Sequence, residues 1–331
     1  VFWDSIVEIL KEKHAEGVDV RIIYDDVGSL NTLPMNYAKK FEGETGIPCC
    51  FFNRFKPVIS IRMNNRDHRK FCIIDGHTAF TGGINLADEY INREMRFGHW
   101  KDSAILVKGE AAWSMTVMFL TMWEYVREVK EDYAALRPNL LPPEAQLGSG
   151  YFVQPYTDNP LDNEAVGETV YLNLISKAER YVYVMTPYLI ISDCVNTALC
   201  NAAKSGVDVR IMTPHIPDKP LVFELTRSHY EQLLDAGVQI FEYTPGFVHA
   251  KSMVVDDVYA VVGSINMDYR SMFLHFEDAV LLYHDPTVLD VKADFLSTQI
   301  KCQPVTLEEC LSYSWARRMF RSILRVLSPL L

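Results

Sequence analysis

His68-Arg69-Lys70-Phe71-Cys72-Ile73-Ile74-Asp75 and His249-Ala250-Lys251-Ser252-Met253-Val254-Val255-Asp256 spell one pattern twice: histidine, any residue, lysine, four residues, aspartate. After equal intervals come Gly82-Gly83-Ile84-Asn85 and Gly263-Ser264-Ile265-Asn266. Upstream, Gly17-Val18-Asp19-Val20-Arg21 returns as Gly206-Val207-Asp208-Val209-Arg210. Repeats in the same order mean that the chain is a duplication. In each copy an apolar helical spacing (Ile6, Ile9, Leu10; Val195, Leu199, Ala202) meets a glycine stop and then an alternating run, which reads as helix, turn, strand. Alternating strands and helices on both sides predict two α/β units.

The second copy has a strand, Tyr181-Val182-Tyr183-Val184-Met185, ahead of its helix, ending at Thr186-Pro187-Tyr188. The first copy has none, and the sequence opens on Val1. An opening strand and whatever preceded it are therefore expected to lie outside this sequence. Prolines 138, 142 and 143 with Gly148-Ser149-Gly150 mark a linker. The expected division is a first half over 1–137, a linker over 138–150, a second half over 151–309 and a C-terminal helix over 310–331.

Composition narrows the function. The 331 residues are 49% apolar and 23% charged, and carry a net charge of −11, an ordinary globular make-up set against a broad basic field for nucleic acid. Seven cysteines without a CxxC pair suggest neither a zinc site nor a disulfide framework, and are read as reduced thiols. No stretch approaches the roughly 20 apolar residues of a membrane-spanning helix. Trp113 to Val126, the most apolar helical stretch, is interrupted by Ser114, Thr116, Thr121 and Glu124 and reads as a core helix.

Residues two apart on a strand share a face, so His68 sits with Lys70 and His249 with Lys251, while Ile73, Ile74, Val254 and Val255 run into a core. A histidine can act as nucleophile or general acid, and a lysine beside it supplies charge for a phosphoryl oxygen. The glycines let backbone N–H groups approach that anion, with the Asn amide as a further donor. Two copies face to face would give a composite site suited to in-line displacement at phosphorus with no metal and no cofactor.

The paired motifs resemble the phospholipase D superfamily. Tyr24-Asp25-Asp26-Val27-Gly28-Ser29, Asn65-Arg66-Asp67-His68-Arg69-Lys70, Thr186-Pro187-Tyr188, Tyr243-Thr244-Pro245-Gly246-Phe247-Val248-His249-Ala250-Lys251 and Asn266-Met267-Asp268-Tyr269-Arg270-Ser271 are similar to the bacterial cardiolipin synthases. The resemblance implies two similar α-β-α sandwich halves with the active site between them. It also implies transfer of a phosphatidyl group from one phosphatidylglycerol to another, with release of glycerol, through a phosphohistidine. By that analogy His68 is the nucleophile and His249 the acid and base, an order that could be reversed. Lys70, Lys251, Asn85, Asn266, Gly83 and Ser264 would hold phosphoryl oxygens. Asp75 and Asp256 complete the motif, although their places after the strands suit a turn bond better than proton transfer. Each histidine needs a carboxylate on its second nitrogen, and Asp102 and Glu277, each opening an apolar strand, are the candidates. The remaining histidines, His14, His77, His99, His215, His229, His275 and His284, read as packing or surface residues.

Between Cys310 and Leu331, Trp315, Met319, Ile323, Val326 and Leu327 fall on one side of a helical wheel and Arg317, Arg318, Arg321 and Arg325 on the other. This predicts a helix in a lipid interface with its arginines toward anionic headgroups and Trp315 as an anchor. The expected partners are phosphatidylglycerol, anionic lipids and a membrane surface, at the bacterial cell membrane, with any N-terminal membrane helices outside this sequence. A hydrolase using water as acceptor, and a non-catalytic lipid-binding module, remain the alternatives. A nuclease fits the acidic chain less well.

Overall fold

The structure, a computed structural model, describes residues 1–54, 64–139 and 150–326. Most of the expected linker (140–149) and the helix end at 327–331 therefore lie outside the described residues. The first half runs α1 (Phe2–Ala15), β1 (Ile22–Asp25), α2 (Tyr37–Thr45), β2 (Cys49–Phe52), β3 (Arg66–Asp67), β4 (Phe71–Ile74), β5 (Thr78–Gly82), β6 (His99–Lys101), β7 (Ala104–Lys108), α3 (Glu110–Arg127) and α4 (Tyr133–Leu136). The second runs β8 (Phe152–Asp158), α5 (Val166–Lys177), β9 (Tyr181–Met185), β10 (Leu189–Ile190), α6 (Asp193–Lys204), β11 (Asp208–Pro214), α7 (Pro220–Ser228), α8 (Tyr230–Asp235), β12 (Gln239–Tyr243), β13 (Gly246–Val248), β14 (Ser252–Val255), β15 (Tyr259–Gly263), β16 (Met267–Asp268), α9 (Tyr269–Phe273), β17 (His275–Tyr283), α10 (Thr287–Gln299) and β18 (Cys302–Val305). Then come α11 (Leu307–Ser312) and α12 (Trp315–Val326).

In the second half one sheet runs β18-β12-β11-β9-β14-β15-β17, with β8 and β3 both paired to β17. Every residue of β9 is buried, as a continuous β-branched and aromatic run between two covered faces requires. Alternation sends Val182, Val184, Met253, Val255 and Val261 to one face, against Val195 and Leu199 of α6 and Leu174 of α5. Tyr183, Met185, Val254 and Val262 go to the other, against Phe295 of α10 and the first half's Ala79, Ile105, Val107 and Met115. The two halves thus share a central core.

Two similar α/β halves are present, but the first is thinner. Among the described residues its sheet lies in two pieces, parallel β1–β2 and antiparallel β4-β5-β7. β1 and β2 keep a small core of their own, with Ala38, Phe41, Ile47 and Cys49 packed by Trp3, Val7 and Leu10. Ile74, Phe80 and Leu106 stay exposed on the face that α5 and α6 cover in the second half. Ile74, expected inside, lies exposed, because among the described residues no helix covers that face. The stretch from Trp113 is a core helix as read, with Trp113, Met115, Leu120 and Trp123 buried in α3.

Candidate active site

Two short parallel pairings across the halves set the site. β3 joins the start of β17, with Arg66 opposite His275 and Asp67 opposite Phe276. β13 joins β6, with Phe247 opposite Trp100 and Val248 opposite Lys101. The chain then leaves each pairing on its histidine: the His68 amide donates to the Phe276 carbonyl at 2.9 Å, and the His249 amide to the Lys101 carbonyl at 2.6 Å. Each histidine therefore lies against a strand of the opposite half, and the carboxylate sits on that strand (Glu277 in β17) or directly after it (Asp102 after β6). His68 Nδ1 donates to Glu277 at 2.8 and 3.0 Å. His249 Nδ1 donates to Asp102 Oδ2 at 2.8 Å. The carboxylates are exchanged between the halves.

The motif tails brace these carboxylates. The Ser264 hydroxyl donates to Glu277 Oε2 at 2.5 Å. The equivalent Gly83 leaves room: a Cβ there would lie 2.1 Å from Asp102 Oδ1 and 2.8 Å from the His249 carbonyl. The Lys70 ammonium donates to the His68 carbonyl. Lys251 Nζ donates to the His249 carbonyl at 2.6 Å and lies 2.9 Å from both ring nitrogens. Tyr90, Trp100 and Phe247 surround the His249 ring, with centroids 5.3, 5.1 and 6.0 Å away. The His249 side chain is 7% exposed and that of His68 26%. The two sets are chemically alike and sterically unequal.

Burial dominates the electrostatics. It pulls the His68 imidazole down to about 3 and the His249 imidazole to about 4; each neighbouring lysine adds to the fall, and each carboxylate opposes it. It likewise lowers Lys70, and brings Lys251 to about 7. Burial would raise Glu277 and Asp102, but the cationic and imidazole groups around them outweigh it and hold both below the ordinary carboxylate range. The arrangement is two neutral imidazoles, each donating from Nδ1 to a carboxylate, with Nε2 as the nitrogen for chemistry, which in His249 lies against the Lys251 ammonium. Beside Glu277, burial pushes the Asp278 carboxyl up to about 7, and the Thr81 hydroxyl of the other half donates to it at 2.6 Å.

The remaining expected residues separate. Asp256 accepts from the amides of Glu179, Arg180 and Tyr181 at 2.7 to 2.9 Å, so it ties the start of β9 to the turn after β14 and is engaged away from the histidines. Asp75 is exposed in the matching turn, where both take a positive φ. The geometry therefore gives both motif aspartates turn positions, not places in the reaction. The Asn85 amide donates to the Tyr90 hydroxyl at 2.6 Å and the Asn266 amide to Ser271 Oγ at 3.1 Å, while Asn266 Oδ1 is buried with no partner among the described residues. Ser264 serves Glu277. Sequence reasoning missed the exchange of carboxylates, the aromatic enclosure of His249, and His275. The His275 ring is 5.7 Å from that of His68, although it had been read as packing. Its signal was present: His275 and Glu277, two apart on β17, share a face.

Residues 3–123 and 171–298 match the family model described as cardiolipin synthase, PLD-like domain. This chain belongs to that family. A Streptococcus mutans relative named as an uncharacterized protein is 45% identical over the whole chain and 71% of its own length. The cardiolipin synthases of Halalkalibacterium halodurans and a Geobacillus species are 36% and 38% identical over 99% and 98% of this chain; in each case the chain spans 64% of the relative's length. The phosphatidylserine synthase of Haemophilus influenzae shares the fold, with a TM-score of 0.72 at 15% identity over 99% of this chain and 86% of that one.

For a member of the cardiolipin synthase family, the C-terminal helix is placed unexpectedly. It begins at Trp315, after a break that ends α11 at Ser312. Its arginines pair with the protein: Arg317 and Arg321 both pair with Glu224, Arg318 pairs with Glu231, and Arg325 donates to Gln232, with Arg321 buried while Arg317 and Arg318 stay partly open to solvent. Arg321 and Leu324 are buried against α7. The acidic side chains of α7 and α8 supply the counter-charges a headgroup was expected to supply, and the helix docks by its basic side. Trp315, Met319, Phe320, Ile323 and Val326 are left exposed, Trp315 at 76%. Among the described residues no helix is long and apolar enough to cross a membrane.

Proposed function

We propose that this chain transfers a phosphatidyl group from one phosphatidylglycerol to a hydroxyl of a second, as a cardiolipin synthase. The observation that carries the reading is the pair of histidine–carboxylate–lysine sets exchanged across one interface, and the names of the relatives supply the substrate class. His68 suits the nucleophile, since it is the more open imidazole and its Nδ1 is committed to Glu277. Its Nε2 attacks phosphorus and the bond to glycerol oxygen breaks. His249, having taken up a proton from solvent at Nε2 as the substrate binds, gives it to that oxygen, then takes one from the incoming hydroxyl as the P–N bond breaks, and cardiolipin leaves. A neutral His249 becomes a usable acid when the anionic phosphodiester arrives and offsets the charge of Lys251. Lys70 and Lys251, with the amides of Asn85 and Asn266 and the backbone at Gly83, would stabilise the charge that develops on the phosphoryl oxygens. Asp102 and Glu277 hold the imidazoles in the Nδ1–H tautomer.

A lipid substrate calls for a lipid surface. The outward apolar side of α12 is proposed to rest in it, with Trp315 at the interface and the arginines serving as struts to the protein. The test is incubation with phosphatidylglycerol vesicles in EDTA, quantifying cardiolipin, phosphatidic acid and glycerol, with His68→Ala and His249→Ala as controls. Equal cardiolipin and glycerol, lost in both variants, supports transfer. Phosphatidic acid instead means hydrolysis, and vesicle binding without product means a lipid-binding module.

A further inference from the structure

Beside the nucleophile proposed above, three donors converge in a way the transfer reaction does not use. His68, His275 and Glu277 each offer one ligand atom, and the three atoms lie within 4.8 Å of one another. His68 Nδ1 is 2.8 Å from Glu277 Oε1, and His275 Nδ1 is 3.7 Å from the same oxygen. Both ring nitrogens of His275 are buried and have no hydrogen-bond partner among the described residues. A buried imidazole without a partner gives up the hydrogen bonds it made in water, so it persists only where something else favours it.

The geometry points to a site for a borderline-soft divalent ion, of which Zn²⁺ is the best fit, held by His68, His275 and Glu277. Two imidazoles and one carboxylate are the protein ligands of an open four-coordinate zinc centre. Metal–ligand bonds of about 2.0–2.2 Å in a tetrahedron separate the donors by roughly 3.3–3.6 Å. The present separations of 2.8 and 3.7 Å straddle that range and all three donors lie within 4.8 Å, so side-chain shifts of about 1 Å or less bring them to a common centre. The Ser264 hydroxyl already orients Glu277, as an outer partner of a ligating carboxylate does. The fourth position would be left to water or a phosphate oxygen. Magnesium and calcium, which prefer more oxygen ligands, do not match this set.

The consequence is inhibitory. The ion would take the position of the proton shared by His68 Nδ1 and Glu277, and would draw electron density from the imidazole expected to attack phosphorus. This inference rests on the transfer reading only for its effect on turnover; occupancy can be read separately. The experiment titrates the full chain with Co²⁺ and follows its visible d–d absorption, then measures turnover of phosphatidylglycerol vesicles with Zn²⁺, with Mg²⁺ and with EDTA. The expected results are a tetrahedral Co²⁺ spectrum displaced by Zn²⁺, inhibition of about tenfold or more by micromolar Zn²⁺ reversed by EDTA, and no inhibition by millimolar Mg²⁺. His275→Ala, and His275→Gln as the more conservative variant, should lose the Co²⁺ spectrum and the inhibition while turning over in EDTA. No tetrahedral Co²⁺ spectrum in the parent chain, or an unchanged spectrum in folded His275→Gln, would overturn the site. A Co²⁺ spectrum without turnover in EDTA would overturn the transfer reading and leave the metal site standing.

Discussion

Gly83→Ala tests the exchanged carboxylates through one methyl group. The added Cβ would lie 2.1 Å from Asp102 Oδ1, against a contact limit of about 3.2 Å, so the carboxylate must retreat by about 1 Å. The Asp102 to His249 bond of 2.8 Å would then stretch to nearly 4 Å, beyond hydrogen-bonding range. A hydrogen bond to a charged group contributes about 1.5–3 kcal/mol, and its loss corresponds to a roughly 10- to 150-fold fall in turnover. That agrees with the roughly hundredfold effect of an ångström's misplacement in a reacting site. Overpacking against the His249 carbonyl should add a destabilisation of about 1–3 kcal/mol. The assay is the initial rate of cardiolipin formation from phosphatidylglycerol vesicles, alongside a thermal melt. Gly43→Ala is the control, since nothing lies within 4 Å of a Cβ at that helical position. If folded Gly83→Ala kept its rate within about threefold of the parent, the claim that Asp102 must stay against His249 would be wrong.

Three further expectations follow from other parts of the molecule. Ser264→Ala removes the hydroxyl from Glu277 and an acceptor from the Asp278 amide, so turnover should fall roughly tenfold with little change in KM, measured over a range of surface lipid concentrations. His229 is buried with no partner for its ring, and burial lowers it to about 3. Its unfolded form takes up a proton near 6.5 and its folded form does not, so the cost is absent above pH 6.5 and grows as pH falls toward 3. Between pH 7 and pH 5 unfolding free energy should drop by about 2 kcal/mol from this group, and His229→Phe should flatten that part of a denaturant-midpoint profile. Finally, Trp315→Ser with Ile323→Ser should weaken flotation with anionic vesicles while leaving the melting temperature nearly unchanged, because both side chains are exposed. Equal flotation would move the membrane contact elsewhere.

The sequence alone determined the duplication, the α/β character of both halves and the identity of the paired histidines and lysines, because strand alternation and equal spacing are local properties readable along one chain. It also offered Asp102 and Glu277 as the carboxylates. Which carboxylate meets which histidine depended on β3 pairing with β17 and β6 with β13, contacts between residues 147 and 209 positions apart. No local pattern encodes such a choice; it follows from how two sheets pack across a shared core. The same holds for His275, whose type and spacing were visible while its nearness to His68 was not. The C-terminal helix shows the point most plainly. Its amphipathic pattern was legible, but a pattern has two sides and does not say which one faces the protein. Glu224 and Glu231, far off in sequence, drew the arginines inward, and only the assembled tertiary structure could turn the tryptophan side out.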